Sequence, residues 1–379
     1  MRATGIRNVR LILPDTVLHG HLLWDEEGNI HTLAPGDTTI PGLMDGQGDY
    51  LLPGLVDVHT DNLERQVLPR TQVRWPSRSA YLAHDSQCVA AGITTVADAL
   101  CVGDAGFEAQ RIQTLMDALN DLPSLSQSAQ FRADHVLHLR CELPTGNLQG
   151  MLEHCLERVP VQMVSLMDHT PGVGQHANMD KFRSAHRAEG LSEQELERRI
   201  GEAQARRARY SEANRCYVLE RFSGESLALA SHDDRSVEEI QRNAADGIQI
   251  AEFPVTAEAA AAAIQMGMRT VAGAPNIIRG GSHSGNVRVQ DLVSQGSISV
   301  LASDYYPSAL LEAAFKLPML GILELPQAVA MVSHAPAQML GLTDRGALAQ
   351  GLRADLLRVR EVEGQVLLRG VWRGGERVA

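Results

Sequence analysis

Residues 51–61 read Leu-Leu-Pro-Gly-Leu-Val-Asp-Val-His-Thr-Asp, an apolar strand that ends in a His-x-Asp pair. Side chains two residues apart on a strand point the same way, so the imidazole of His59 and the carboxylate of Asp61 converge at its carboxyl end. Both groups bind metals. A single His-x-Asp pair is a weak signal, and it gains weight only if other strands end in the same manner.

The middle of the chain alternates strand-like and helix-like segments, with helical patterns such as 107–119, 193–210 and 256–266 between the strands. Eight strands with helical crossovers predict a (β/α)8 barrel of the TIM type over residues 53–344. A doubly wound open sheet is the alternative, weakened because no G-x-G-x-x-G follows an early strand. The predicted strands are 54–59, 94–99, 135–143, 164–169, 227–232, 249–253, 269–274 and 299–304.

Both ends of the chain have a different texture, with short apolar or alternating runs divided by turn residues. Such runs indicate strands. We therefore predict one small β-sandwich domain formed by both termini, residues 1–52 and 345–379. The runs are 9–13, 17–24 and 30–33 at the start, and 355–359, 365–368 and 371–372 at the end.

The connection between the fourth and fifth predicted strands, residues 171–226, is unusually long and contains an arginine-rich helix. A charged helix is most simply a solvated helix face. Long loops after barrel strands lie on the catalytic face, so a lid over the active site is the functional alternative.

Further nitrogen and oxygen ligands lie at or near the ends of other predicted strands, and in a barrel these ends meet at one mouth. A lone histidine in an apolar run is usually structural, but this repetition favours a metal site. Ligands without thiolates fit Zn²⁺, which we favour, or Mn²⁺ or Fe²⁺. The set is large enough for two ions per chain that share a bridging hydroxide. The predicted ligands are His59, Asp61, Glu142, His169, His232 and Asp304.

Residues 273–286, after the seventh predicted strand, form a glycine-rich segment with several donors. Glycines let backbone N–H groups approach an anion closely, and barrels often bind phosphate after strands 7 and 8. A plain turn is the alternative, and no P-loop G-K-S/T occurs. The predicted phosphate-binding residues are Arg279, Ser282, His283 and Asn286, with Arg140, which shares a strand face with Glu142.

The composition narrows the class of protein. The chain has 379 residues and a formal net charge of −12, with no basic stripe, which disfavours nucleic acid as a partner. No apolar run is long enough for a membrane helix. The five cysteines are scattered without a CxxC pair, which indicates a reduced, cytoplasmic protein. The sequence leaves open whether the protein forms a homo-oligomer.

The His59 motif and a later segment, 344–356, resemble the framing motifs of the amidohydrolase superfamily. Within it, the segments 59–64, 138–144, 165–169, 230–234 and 303–307 resemble the PhnM family of phosphonate degradation, from end to end of the chain. The resemblance implies a barrel with a terminal β-sandwich and a phosphorylated ribose as substrate. It also implies release of pyrophosphate from α-D-ribose 1-methylphosphonate 5-triphosphate, with Asp304 as the catalytic residue.

In the superfamily a carbamylated lysine on the fourth strand often bridges two metals. The chain has only two lysines, Lys181 and Lys316, and neither is placed for that role. Glu142 is therefore the candidate bridge, and Glu252, at the sixth predicted strand end, is a reserve ligand. Two other functions stay open: a cyclic amidase or deaminase, the superfamily's commoner chemistry, and a regulatory member without catalysis.

Overall fold

A computed structural model describes residues 4–70, 73–103, 110–188, 191–281 and 286–379. The strands are β1 (Thr4–Ile12), β2 (Val17–Trp24), β3 (Ile30–Pro35), β4 (Met44–Asp45), β5 (Tyr50–Pro53), β6 (Leu55–Thr60), β7 (Ile93–Val102), β8 (Asp134–Glu142), β9 (Val161–Met167), β10 (Ala228–His232), β11 (Ile250–Glu252), β12 (Arg269–Gly273), β13 (Val300–Ala302), β14 (Leu356–Val362), β15 (Gln365–Arg373) and β16 (Glu376–Arg377). The helices are α1 (Asn62–Val67), α2 (Ser77–Ala90), α3 (Gln110–Gln127), α4 (Leu148–Leu156), α5 (Met179–Ala188), α6 (Glu193–Arg221), α7 (Val237–Ala245), α8 (Ala257–Gln265), α9 (Ala274–Arg279), α10 (Val289–Ser294), α11 (Ala309–Met319), α12 (Leu325–Ala330) and α13 (His334–Met339), with a 3-10 turn at Gly174–His176.

The central sheet is a ring of eight parallel strands, β6 to β13, each paired with the next along the chain. The ring closes between its first and last strands, because Asp304 N–H donates to His59 O at 3.0 Å and Asp61 N–H donates to Asp304 O at 2.8 Å. Helices lie between the strands along the chain. The predicted (β/α)8 barrel is confirmed, and the doubly wound alternative is wrong.

The strands of the ring are buried along most of their length because both of their faces are covered. All ten residues of β7 are buried. Inside the ring, Val56, Val58, Met163 and Val271 belong to one buried cluster below the mouth. Above this packed interior, the carboxyl end of the barrel holds the cavity and its polar lining.

Several element boundaries differ from the sequence expectation. The fourth barrel strand ends at Met167, so His169 lies on the following loop, and α6 runs to Arg221 instead of residue 210. The helix predicted over 107–119 is observed from Gln110 to Gln127, and residues 107–109 lie outside the described part of the chain. A strand ends where its hydrogen-bonding partners in the neighbouring strands end. The sequence of a single strand does not contain that information.

The two ends of the chain form a separate mixed sheet, ordered β16-β15-β14-β5-β1-β2-β3, with β4 paired to β1. Its core includes Ile6, Leu22, Trp24 and Trp372. The predicted β domain built from both termini is thereby observed. It is joined to the barrel by Asp134 at the start of β8, which accepts from Arg345 Nη1 at 2.6 Å, Arg353 Nη1 at 2.7 Å and Arg373 Nη1 at 3.4 Å.

A buried polar cluster lies between α2 and the outer side of β7 and β8. Asp98 accepts from His84 Nε2 at 2.7 Å and from His135 Nδ1 at 2.9 Å, and Tyr81 donates its hydroxyl proton to the same carboxylate. The second ring nitrogen of His135 lies 3.3 Å from Asp85 Oδ1. With a carboxylate at each nitrogen, the His135 ring carries a positive charge. Burial by itself disfavours that charge, but Asp98 and Asp85 outweigh it and raise the pKa of His135 to about 9.

The pKa of His135 predicts a pH dependence of stability. Because the folded pKa of about 9 exceeds the ordinary value of 6.5, the stabilising contribution is complete below pH 6.5 and is lost as the pH rises through 9. We expect the free energy of unfolding to fall by roughly 2–3 kcal/mol over this interval. In His135→Asn that part of the slope disappears. Urea unfolding of both proteins at several pH values measures it, and identical slopes would contradict the assigned charge.

Candidate active site and metal centre

The carboxyl ends of the barrel strands surround a cavity of about 590 Å³. A volume of this size suits a ligand as large as a phosphorylated sugar. Every metal ligand and every described phosphate contact predicted from the sequence lies in its wall. These residues are His59, Asp61, Glu142, His169, His232, Asp304, Arg140, Arg279 and Asn286. Ser282 and His283 lie outside the described residues.

Glu252 holds two of the histidines from below. Its side chain is fully buried, and its two oxygens lie 2.9 Å from His59 Nδ1 and 2.7 Å from His232 Nδ1. Each imidazole donates its Nδ1 proton to Glu252, which leaves the lone pair on Nε2 for a metal. Carboxylates behind metal-binding histidines commonly fix the ring tautomer in this way. The geometry therefore favours Glu252 as an orienting group, although the sequence indicated it as a reserve ligand.

The remaining nitrogen of each ring faces a carboxylate. His59 Nε2 lies 3.6 Å from Asp61 Oδ1, and His232 Nε2 lies 3.6 Å from Asp233 Oδ2. Two groups of three residues each bring one donor atom per residue within 4.8 Å of one another. The first group is His59, Asp61 and Asp304, and the second is His169, His232 and Asp233.

Asp233 is a candidate ligand that the sequence prediction did not include, although it directly follows His232. Its backbone has a φ of +57°, in the left-handed region, and its N–H donates to Glu252 O at 2.9 Å. This turn lets two consecutive residues line the same cavity. Aspartate tolerates such a backbone better than most residues, and that tolerance was the available signal.

Glu142 joins the second group through His169. Its Oε1 lies 2.5 Å from His169 Nδ1, while its Oε2 is buried without any hydrogen-bond partner among the described residues. A buried carboxylate oxygen without a partner is costly, and a bound cation satisfies it. Burial raises the pKa of Glu142, but His169 and Arg140 outweigh it and lower that pKa to about 2. The donors present, imidazole nitrogens and carboxylate oxygens, fit a divalent metal ion.

At the first group, the positive charge of Arg140 and the negative charge of Asp61 shift the pKa values of neighbouring carboxylates in opposite directions. Arg140 Nη1 lies 2.5 Å from Asp61 Oδ1, and despite burial this guanidinium holds the pKa of Asp61 well below its usual range. Burial, together with the neighbouring Asp61 charge, raises the pKa of Asp304 to about 7. Asp304 adopts a φ of +58° and sits where the last strand meets the first. Two carboxylates this close are stabilised together by a cation.

His138 is buried in the same region but is not available to a metal. Its Nδ1 donates to Val58 O at 3.1 Å, and its Nε2 lies 2.8 Å from Ser165 Oγ. Burial lowers its pKa to about 3, so the ring is neutral and both nitrogens are used within the barrel. It belongs to the packed layer beneath the site.

Cationic and amide side chains line other parts of the cavity. Arg279 is exposed at the end of α9, and Lys316 Nζ donates to Ile278 O at 2.8 Å near the end of that helix. Arg111, near the start of α3, lines the cavity, and its Nε lies 3.2 Å from Glu64 Oε2. No lysine lines the cavity among the described residues, so no described lysine can bridge metals there.

Comparisons with known proteins agree with this architecture. No protein-family model matches the chain. Solved structures with the same fold include N-isopropylammelide isopropylaminohydrolase from Burkholderia multivorans, with 20% identity, a TM-score of 0.63 and coverage of 100% of this chain and 98% of that one. N-acetylglucosamine-6-phosphate deacetylase from Pasteurella multocida has 11% identity, a TM-score of 0.64 and full coverage of both chains.

The chain has the fold of the amidohydrolase superfamily. The barrel, the terminal sheet and the match to these solved structures together define this class of protein. A curated protein of Escherichia coli strain K12, alpha-D-ribose 1-methylphosphonate 5-triphosphate diphosphatase, is 42% identical over 376 residues, which cover 98% of this chain and 99% of that protein. The chain belongs to the α-D-ribose 1-methylphosphonate 5-triphosphate diphosphatase family.

Proposed function

We propose that this chain hydrolyses α-D-ribose 1-methylphosphonate 5-triphosphate to pyrophosphate and the corresponding 5-phosphate. The observation that carries the proposal is a cavity in which imidazoles and carboxylates suited to metals adjoin Arg140, Arg111 and Arg279. In a chain with a net charge of −12, such a concentration of cations suits a polyanionic substrate. The family relationship supplies the identity of that substrate.

Two divalent ions are the cofactors we infer, and Zn²⁺ is favoured by the nitrogen and oxygen donors. His59, Asp61 and Asp304 would hold one ion, and His169, His232 and Asp233 the other, with Glu142, which contacts His169, as the candidate shared carboxylate. Such ions lower the pKa of water and neutralise charge on phosphate oxygens.

The protein's own groups perform the remaining work. Asp304, at the rim of the cavity, orients the attacking water toward the α-phosphorus and accepts its proton. Arg140 and Arg279 neutralise phosphate oxygens by charge-assisted hydrogen bonds. Asn286, Ser282 and His283 complete the proposed phosphate contacts. Bond cleavage between the α- and β-phosphates then releases pyrophosphate.

We further propose how the chain is divided into domains and where the protein acts. The chain divides into a terminal β domain, 1–52 and 345–379, and a barrel, 53–344, in which 171–226 is an insertion that covers the site.

The protein acts in the cytoplasm, where its five cysteines, each without a disulfide, stay reduced. No described helix is long and apolar enough to span a bilayer. Self-association is compatible with this scheme.

Product analysis tests the function. Phosphorus NMR of the metal-loaded protein with the triphosphate should show pyrophosphate and 5-phosphate appearing in equal amounts. Release of ammonia or ring opening of cyclic amides, without pyrophosphate, would instead identify an amidase or deaminase. Fewer than about one ion per chain after chelator-free purification, with no turnover, would favour a regulatory member.

A further inference from the structure

The insertion after the fourth barrel strand contributes its own wall to the active-site cavity. Gln175 and His176, in the 3-10 turn, and Phe182 and His186, on α5, line the same space as the metal ligands. We call these four residues the insertion wall. None of them was singled out by sequence reasoning, which considered the arginines of the insertion instead.

The insertion wall is tied closely to the metal ligands. Gly174 has a φ of +51°, and a Cβ atom at this position would lie 3.0 Å from Asp233 Cβ, so the turn rests directly on that residue. Gly172 N–H donates to His176 O at 3.1 Å. Arg207 of α6 binds Asp168, next to His169, with an Nε–Oδ2 distance of 2.6 Å. These contacts hold the wall at the cavity rather than out in solvent.

Packing against α6 fixes the other half of the wall. Phe182 is 6% exposed and belongs to a small apolar cluster with Leu196 and Ile200. Its ring lies between two imidazoles, with centroid distances of 5.3 Å to His176 and 4.2 Å to His186. The wall therefore presents an aromatic ring flanked by histidines, and no arginine or lysine among the described residues of the insertion lines the cavity.

The two sides of the cavity differ in chemistry. Arg279 and Asn286 follow the seventh strand of the ring, and the insertion wall follows the fourth, so they stand at separate parts of the mouth with the metal ligands between them. Permanent guanidinium charge occurs on the first side at Arg279, and also at Arg111 after the second strand and Arg140 on the third, but the insertion wall itself carries none. On the insertion side the donors are an amide and imidazoles beside an apolar ring. A ligand with two different anionic ends matches this division.

On the proposed function, the substrate has such ends. Its triphosphate carries several negative charges, whereas its methylphosphonate ester carries one negative charge and a methyl group on phosphorus. We propose that the insertion wall binds the methylphosphonate end, with His176 donating to a phosphonate oxygen and Phe182 packing on the methyl group. The triphosphate then extends toward Arg279. The wall selects phosphonate esters over other sugar triphosphates.

Binding of two ligands by calorimetry tests the wall without turnover. α-D-ribose 1-methylphosphonate 5-phosphate is compared with ribose 5-phosphate, which lacks the phosphonate. We expect the wild-type metal-loaded protein to bind the phosphonate ester about tenfold or more tightly, and His176→Leu to lose that preference. Affinity for ribose 5-phosphate should change less than about threefold. Phe182→Leu, which keeps an apolar side chain, should lose part of the preference.

The matched control is His154→Leu, on α4 outside the cavity, which should retain the full preference. A wild-type protein with no preference for the phosphonate ester would overturn the proposal. So would an equal loss of affinity for both ligands in His176→Leu, or a specific loss of pyrophosphate binding in that variant. Absence of pyrophosphate release with the preference intact would instead reject the proposed reaction and leave the wall supported.

Discussion

On the proposed two-metal site, replacement of Glu142 by glutamine is expected to reduce bound zinc from two ions per chain toward one, and to lower kcat by about a thousandfold or more. The physical reason is that Oε2 of Glu142 is buried with no hydrogen-bond partner in the part of the chain that the structure describes, while Oε1 contacts His169. Glutamine keeps the size but replaces one oxygen with an N–H donor that repels a cation. Zinc content after equilibrium dialysis, measured by mass spectrometry, gives a result independent of turnover.

Glu252→Gln is the informative comparison, because Glu252 is the other carboxylate that could bridge. It accepts from both His59 and His232, so glutamine can satisfy only one of the two Nδ1 protons. We expect two ions still to bind, each about 10–100-fold more weakly. Glu258→Gln on the exposed side of α8 serves as the control. Loss of an ion in Glu252→Gln, with two retained in Glu142→Gln, would reverse the two assignments.

Asp304→Asn should retain both proposed ions, because the amide oxygen of asparagine can still bind a metal, yet lose about 10²–10⁴-fold in kcat, because asparagine cannot accept the proton of the attacking water. Asp304 lies at the closure of the ring, and its backbone N–H and C=O bind His59 and Asp61, so the side chain can be changed while the backbone contacts remain. Initial rates of pyrophosphate release at saturating substrate measure the effect.

Asp291→Asn, exposed on α10, is the control for that experiment and should behave as the wild type. Near wild-type turnover by Asp304→Asn with two ions bound would exclude the proposed role of this carboxylate. A loss of zinc in the same variant would assign Asp304 to metal binding alone.

Backbone conformation at the barrel mouth is unusual. Asp233, Phe253 and Asp304 each follow a ring strand and each has a φ between 55° and 58°. Left-handed backbone at a residue other than glycine costs on the order of 1 kcal/mol, most for a bulky residue such as phenylalanine. The turns bring Asp233 and Asp304 into the cavity, so this cost is incurred where ligands are placed.

Much of the site could be predicted because it depends on local periodicity. Residues such as His59 and His232 end apolar strands, and the carboxyl ends of parallel barrel strands meet at one mouth. Asp233 could not be predicted in this way, since its inward direction depends on a reversal of the backbone after β10. The roles of Glu142 and Glu252 were left open by spacing, because both are carboxylates at strand ends and only their partners differ.

The barrel, the terminal β domain and most residues around the mouth could be predicted from sequence, because hydrophobic periodicity and strand order are encoded along the chain. Which carboxylate faces which imidazole depends instead on contacts made in the folded protein. Glu252 lies beneath His59 and His232, whereas one oxygen of Glu142 has no partner among the residues described. The folding of the chain also brings Phe182 and His176 of the insertion to the cavity. Such contacts join residues far apart in sequence, and they exist only once the ring has closed and its interior has packed.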